Sequence, residues 1–516
     1  MNYMPATGRI YTFAFLTALL LVNLPARAAD SCLNLAKLAL PNSTITTAEL
    51  FPGGSFKPEN GDPILTNLPS FCRVAATMKP THDSDIKVEV WLPLASAWNG
   101  RYVGTGNGGF AGKIGYGSIS NLIKTGSAAA NTDMGMAVPH GQDQSIFINH
   151  PERWADWGYR STHEMTVLAK QLVRSYYGRE ANHSYFTGCS TGGEQALMEA
   201  QRYPDDYEGI VAGAPAHDRT SLHIGILWDV AATQNSIESW LPPEKITLLS
   251  KAVLDACDAQ DGVKDGIVSD PERCKFNPAV LECKAGDQPD CLTKAQLTTV
   301  NKIYSGPVNP RTGKSIYPGL ARGSESGWGR FSPVIKPEVK APFAPLFQWV
   351  FGADWQWRSF DYNHDVDAVN KLLAAPLNAT SPDLSTFRAH GHKLIAYHGW
   401  SDPLIAPESS ILYYNSVVAD QKKAHKQASV DDFYRLFLLP GVMHCNSGVG
   451  PDSFDPQSAI VQWVEQGIAP DQLIVSKPEP ETGKTMQRPL CPYPQIAKYN
   501  GIGDTNDAKS FHCALP

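Results

Sequence analysis

Gly188-Cys189-Ser190-Thr191-Gly192 sets a serine among small residues, after the short apolar run ending in Phe186-Thr187 and before a helical stretch from Glu194 to Arg202. Small residues on both sides of a serine permit the strained strand-to-helix turn that pushes its hydroxyl clear of the backbone. Ser190 is the candidate nucleophile. In a chain with 42 glycines the same pattern also arises by chance, so other residues must decide. A serine hydroxyl reacts only when an imidazole takes its proton and a carboxylate orients that imidazole. Asp402, in His398-Gly399-Trp400-Ser401-Asp402-Pro403, and His444, in Pro440-Gly441-Val442-Met443-His444-Cys445, supply the two types. His398 and Asp431 are rivals for base and acid, and His398 reads as a structural residue of the turn before Asp402.

Each candidate follows a short apolar stretch of strand character: Phe186-Thr187, Leu394-Tyr397 and Leu436-Leu439. The order nucleophile, acid, histidine is that of α/β hydrolases and differs from the chymotrypsin and subtilisin orders. Upstream, Ile86, Val88, Val90 and Leu92 alternate with polar residues as in a half-buried strand, and Arg101-Thr105 runs into Gly106-Asn107-Gly108-Gly109. That loop lacks the lysine ending of a phosphate cradle and the strict spacing of a dinucleotide motif. It is either a plain turn or the loop that offers Asn107 or Gly108 N–H to an oxyanion, with the amide of Thr191 as the second donor. Ala128-Pro139 reads as a strand and loop, Thr162-Tyr176 as a helix and Gly209-Pro215 as a buried strand. The alternation predicts an α/β fold, an α/β-hydrolase core built from residues 29–215 and 385–516. Residues 216–384 differ in texture and read as an inserted lid domain; they hold Trp228, Trp240, Trp328, Trp349, Trp355 and Trp357, half of the 12 tryptophans. Such aromatics usually pack a core, and together they suit an aromatic acyl pocket. The tail after Gly483 reads as loop.

Net charge is −7 and no run of Lys or Arg occurs, so nothing points to a nucleic acid. Arg9, the apolar run Ile10-Leu24 and Ala26-Arg27-Ala28 form a signal-peptide pattern over residues 1–28, which predicts a secreted or periplasmic protein without a membrane anchor after cleavage. In an oxidising compartment the ten cysteines read as disulfides. Spacing suggests Cys257-Cys274, Cys283-Cys291 and Cys491-Cys513, and leaves three ways to match Cys32, Cys72, Cys189 and Cys445. If Ser190 and His444 meet, their neighbours Cys189 and Cys445 are close enough to bridge, and Cys32-Cys72 follows. Asp258-Ala259-Gln260-Asp261-Gly262-Val263-Lys264-Asp265-Gly266-Ile267 supplies three carboxylates and the carbonyls of Val263 and Ile267, which suits Ca2+. It lacks the closing glutamate of an EF-hand, and a solvated Asp/Gly turn has the same spacing.

Cys189-Ser190, Asp402 and His444-Cys445 together resemble the CS-D-HC arrangement of the tannase and feruloyl esterase family, which includes mono(2-hydroxyethyl) terephthalate hydrolase. The likeness extends over nearly all of the chain after the signal segment, including the Gly106-Gly109 loop, Gly213-Ala214-Pro215, the Asp258-Ile267 loop and Cys491-Pro492-Tyr493-Pro494. It implies a serine carboxylesterase with five disulfides and a lid carrying structural Ca2+ on Asp258, Asp261, Asp265 and the carbonyls of Val263 and Ile267. Ile405 stands where the terephthalate monoester hydrolase has an aromatic residue. In a lid alignment around Phe343, Val339 stands where that enzyme has an arginine, and Lys336 and Lys340 do not replace a guanidinium fork. The expected substrate is therefore a hydroxycinnamoyl or galloyl ester, in a pocket including Phe343 and Ile405, with a terephthalate monoester as the alternative. In a different class, a silent serine site would leave a protein that only binds phenolics or glycans.

Overall fold

The structure, a computed structural model, describes Met1 and residues 30–136, 145–329, 344–425, 429–479 and 483–516. The signal-peptide reading, Phe343, Val339, Lys336 and Lys340 lie outside the described residues. Nine strands form one sheet: β1 (Ser43–Phe51), β2 (Phe71–Met78), β3 (Ile86–Pro93), β4 (Arg101–Thr105), β5 (Ala128–Thr132), β6 (His183–Cys189), β7 (Gly209–Gly213), β8 (Lys393–Gly399) and β9 (Tyr434–Leu439). Their spatial order is β1-β2-β3-β5-β4-β6-β7-β8-β9. The pairings from β1 through β5 are antiparallel, and those from β5 to β9 are parallel.

Alternation along the parallel strands sorts side chains to two faces. Tyr185, Val211, Ile395 and Phe437 point one way, onto Ile460 and Trp463 of helix α9 (Pro456–Gln466). Their neighbours Phe186, Ile210, Leu394 and Leu436 point the other way, into a cluster with Met165, Leu168 and Leu172 of α1 (Ser161–Tyr177). α1 forms because Met165, Leu168, Ala169, Leu172 and Val173 recur at helical spacing and are all buried. It stops at Gly178, whose φ of 71° is open to glycine.

Helix α2 (Thr191–Arg202) begins three residues before the Glu194 expected from sequence. Gly192 and Gly193 read locally as turn, yet close packing makes them helical. A Cβ on Gly188 would lie 2.6 Å from the Gly192 carbonyl carbon, and one on Gly193 2.3 Å from the Gly213 oxygen. The start of α2 is thus pressed against the ends of β6 and β7.

Between β7 and β8 the described residues add no strand to this sheet. They form α3 (Arg219–Gln234), α4 (Pro243–Cys257), α5 (Lys294–Ser305), α6 (Ala344–Phe351) and α7 (Asp365–Leu377), and α8 (Pro407–His425) follows β8. Leu249, Val253, Val300, Ile303 and Trp328 make a separate core within this segment. A second cluster joins Phe347 and Trp349 of α6 to Phe110, Phe147 and Trp157, which lie in the segments that connect the strands between β4 and β6. Of the six tryptophans noted in the sequence, Trp328 and Trp349 are buried packing residues.

The tail corrects one expectation. It is not loop after Gly483: β10 (Leu473–Glu479) pairs with β11 (Lys484–Leu490), and β12 (Ile496–Tyr499) with β13 (Phe511–Ala514), both antiparallel. Prolines and charges blur the alternation in these strands, and burial of Val475 and Leu490 against Phe437 and Leu439 selects the pairing. Five disulfides join Cys32 to Cys72, Cys189 to Cys445, Cys257 to Cys274, Cys283 to Cys291 and Cys491 to Cys513.

Candidate active site

The parallel register aligns Thr105 with Thr187, Cys189 with Gly213 and Gly399 with Leu439, so the loops after β4, β6, β8 and β9 leave the sheet at one edge. This is the carboxyl edge where parallel sheets bind ligands. Ser190 caps α2 at φ 66° and ψ −120°, a region rarely occupied by L-residues and one that sets its hydroxyl outside the ladder. Its amide is anchored on the Gly213 carbonyl at 2.9 Å.

His444 Nε2 lies 2.9 Å from Ser190 Oγ, and His444 Nδ1 lies 2.7 Å from Asp402 Oδ2. A proton on Nδ1 faces the carboxylate, which leaves the Nε2 lone pair toward the serine. Asp402 is fully buried. Its Oδ1 accepts the amides of Leu404 at 2.8 Å and Ile405 at 3.0 Å. Burial pushes the Asp402 carboxyl up, but the His444 charge and the hydrogen bonds from His398 and His444 overcome it and hold it well below the usual carboxylate range. Burial pulls His444 down, and the Asp402 charge and hydrogen bond outweigh it, so its pKa is raised.

The rivals separate. Asp431 is exposed and precedes β9, at the opposite end of that strand from His444. His398 does not face Ser190; its Nε2 lies 3.1 Å from Asp402 Oδ2 and 3.0 Å from the Ile405 carbonyl. Two acceptors require the proton on that nitrogen. Nδ1 sits 2.7 Å from Ser410 Oγ. His398 is therefore a second donor to the carboxylate, a contact that its place four residues before Asp402 foreshadows.

The Gly-rich loop corrects one expectation. The Asn107 amide is not free for an oxyanion, because it donates to Gln195 Oε1 at 2.8 Å. Among the described residues no acceptor takes the amides of Gly108 or Thr191. Gln195 also donates to Thr162 Oγ1 at 2.8 Å, so it ties the loop to α1 and α2. Sequence reasoning missed Gln195 and Arg219. Arg219, buried at the start of α3, donates to Thr191 Oγ1 at 3.0 Å and to Glu194 Oε2 at 2.8 Å, and its guanidinium lies 5.0 Å from the Trp157 ring centroid. A lone arginine in a polar segment carries no local signal of such a role. Burial raises Glu194 to about 7 against the opposing Arg219 charge. Ile405 is 1% exposed and packs with Ala216, Leu222, Ile226 and Tyr317.

Residues 72–514 match the family model described as tannase and feruloyl esterase. The chain belongs to the tannase and feruloyl esterase family. It is a carboxylic ester hydrolase. Among its relatives, an "uncharacterized esterase" of Xanthomonas campestris is 37% identical, over 95% of this chain and 92% of that protein. A "probable feruloyl esterase" of Arthroderma benhamiae is 36% identical, over 86% and 85%. The crystal structure of feruloyl esterase B from Aspergillus oryzae superposes with a TM-score of 0.85 at 30% identity, over 94% of this chain and all of that one. Tannin acyl hydrolase from Aspergillus niger shares the fold, with a TM-score of 0.77 at 22% identity over 95% and 96%.

In the Asp258–Ile267 loop, Asp258 accepts the amides of Asp265 at 3.1 Å, Gly266 at 3.1 Å and Ile267 at 3.3 Å. Asp261 accepts from Val263 N at 3.0 Å and Ser269 Oγ at 2.7 Å. Asp265 binds Arg488 of β11 at 2.6 Å through Oδ2, while its Oδ1 is buried without a partner. An orphaned carboxylate oxygen beside two further carboxylates fits a hard cation in donor type.

Proposed function

We propose that this esterase hydrolyses esters of aromatic acids, of the hydroxycinnamoyl or galloyl class, through an acyl-Ser190 intermediate. The observation that carries the reading is the line Ser190 Oγ, His444 and Asp402, held at 2.9 and 2.7 Å on a left-handed turn at the sheet's carboxyl edge. Ser190 Oγ attacks the ester carbonyl as His444 Nε2 takes its proton. Asp402 stabilises the resulting imidazolium, and the amides of Thr191 and Gly108 receive the oxyanion. His444 returns the proton to the departing alcohol, and water repeats the sequence to release the acid. The names of the Arthroderma and Aspergillus relatives support the acyl class.

Ser190→Ala should lower kcat on methyl ferulate or a galloyl ester by about 10^5- to 10^6-fold without changing the melting temperature. Retained turnover would sink the assignment, and kcat/KM across feruloyl, galloyl and terephthaloyl esters selects the acyl group. Ca2+ would be held by Asp258, Asp261, Asp265 and the carbonyls of Val263 and Ile267; when bound it supplies positive charge that fastens the loop. Five disulfides support a site of action in an oxidising compartment, secreted or periplasmic, and no described helix is long and apolar enough to cross a membrane.

A further inference from the structure

Near the far end of the nucleophile helix α2 lies a carboxylate that the ester chemistry does not use. Glu199 is fully buried, and neither of its oxygens has a hydrogen-bond partner. A buried carboxylate that no hydrogen-bond donor satisfies is costly, so its retention calls for a physical reason. Two side chains converge on it: His163 of α1 and Asp206 from the turn before β7 place ligand atoms within 4.8 Å of Glu199 and of each other. Among the described residues, this is the group of three His, Cys, Asp or Glu side chains that meets that distance.

The cluster is ordered and reachable. His163 Nδ1 is 2.6 Å from Asp206 Oδ2, and the imidazole stacks on Tyr203 at 3.8 Å between centroids with 8° between planes. The side chains of His163 and Asp206 are 28% and 12% exposed, so two of the three ligand-bearing groups touch solvent. The Lys170 charge acts on Glu199 from a distance, while its Nζ donates to the main-chain carbonyl of Asp206 at 2.5 Å and not to the carboxylate.

We propose that His163, Glu199 and Asp206 bind one divalent transition-metal cation, of the Zn2+ or Mn2+ class, which pins α2 to α1 and to the turn entering β7. One imidazole nitrogen with two carboxylates suits these ions, whereas Ca2+ takes six to eight oxygens. Glu199 lies nine residues beyond Ser190, about 13 Å along the helix at its usual rise, so the ion is structural. The site is also separate from the Asp258–Ile267 loop.

The test is equilibrium dialysis of the full chain, first stripped by chelator, against Zn2+ or Mn2+, with bound metal measured by mass spectrometry and thermal melts run in parallel. The wild type should retain one ion per chain and melt higher with it. Glu199→Gln, and His163→Ala at a partly exposed position where folding is easily checked by circular dichroism, should each weaken retention by about 100-fold or more, beyond the ~10- to 100-fold of outer-shell losses. Asp258→Asn should retain the ion. A wild type that binds neither metal, a folded His163→Ala with unchanged affinity, or loss of the ion in Asp258→Asn overturns the proposal. The first two results leave a proton shared between Glu199 and Asp206 as the account of the cluster.

Discussion

At the scale of single residues, the acid of the triad receives two imidazole donors on one oxygen. His444 Nδ1 and His398 Nε2 both reach Asp402 Oδ2, and both lower its pKa. His398→Leu removes one donor from a buried carboxylate and should reduce kcat by roughly 10- to 100-fold with KM little changed, short of the ~10^4-fold that follows loss of triad acid function. His398→Gln, which keeps an N–H donor, should recover part of the rate; equal losses in the two variants would reduce His398 to a packing residue. The sign of the pH dependence follows from His444. It must be neutral at Nε2 to accept the serine proton, and Asp402 raises its pKa. Activity should therefore fall as pH drops through a value above the ordinary imidazole pKa of ~6.5. Asp402→Asn should shift that acid limb of kcat/KM downward, and an unmoved limb would assign it to another group.

At the scale of elements, the loops after β6 and β9 are held both by hydrogen bonds and by the Cys189–Cys445 bond, which closes 256 residues of chain. Ser190 at φ 66° and Cys445 at φ 64° both sit in the left-handed region, so each turn needs support from outside itself. Cys189→Ala/Cys445→Ala should cost about 2–4 kcal/mol in denaturant unfolding. It should lower kcat as well, and full activity in the folded double variant would limit the bond to stability. The Asp258–Ile267 loop meets β11 through Asp265 and Arg488, so an ion there would couple the segment between β7 and β8 to the tail. Chelator dialysis should release Ca2+ and lower the melting temperature, with recovery on re-addition; no bound calcium and no shift would remove the ion from this loop.

At the scale of the whole molecule, buried acids set the stability profile. Glu194 and Glu325 are raised to about 7, mainly by burial, and stay protonated in the fold at pH values where unfolded carboxylates have lost their protons. His444 is raised as well. For all three, stability is lost as pH rises through the folded pKa. His217 and His223, lowered by burial, act in the opposite sense only below ~6.5, where an unfolded imidazole charges. The melting temperature should thus fall from pH 6.5 to 8, and a rise over that window would contradict this balance. The fold class was legible because short apolar runs and glycine turns are local signals, and the candidates Ser190, Asp402 and His444 each follow such a run. Cys189 and Cys445 were legible as a pair because each adjoins a triad residue. The sequence by itself singled out Ser190, His444 and Asp402 as candidate nucleophile, base and acid, since strand-end positions follow from short-range pattern, and the fold brings the three side chains together. Only the tertiary structure decided that Gln195 occupies the Asn107 amide, that His398 serves Asp402, that Arg219 braces Thr191 and that the tail pairs into hairpins. The Asn107–Gln195 and Thr191–Arg219 contacts and the packing of the tail on the sheet depend on distant groups competing for one buried hydrogen bond or apolar face, of which local residue patterns carry no record. His398 stands only four residues before Asp402, and there the folded turn decides which acceptors its Nε2 faces.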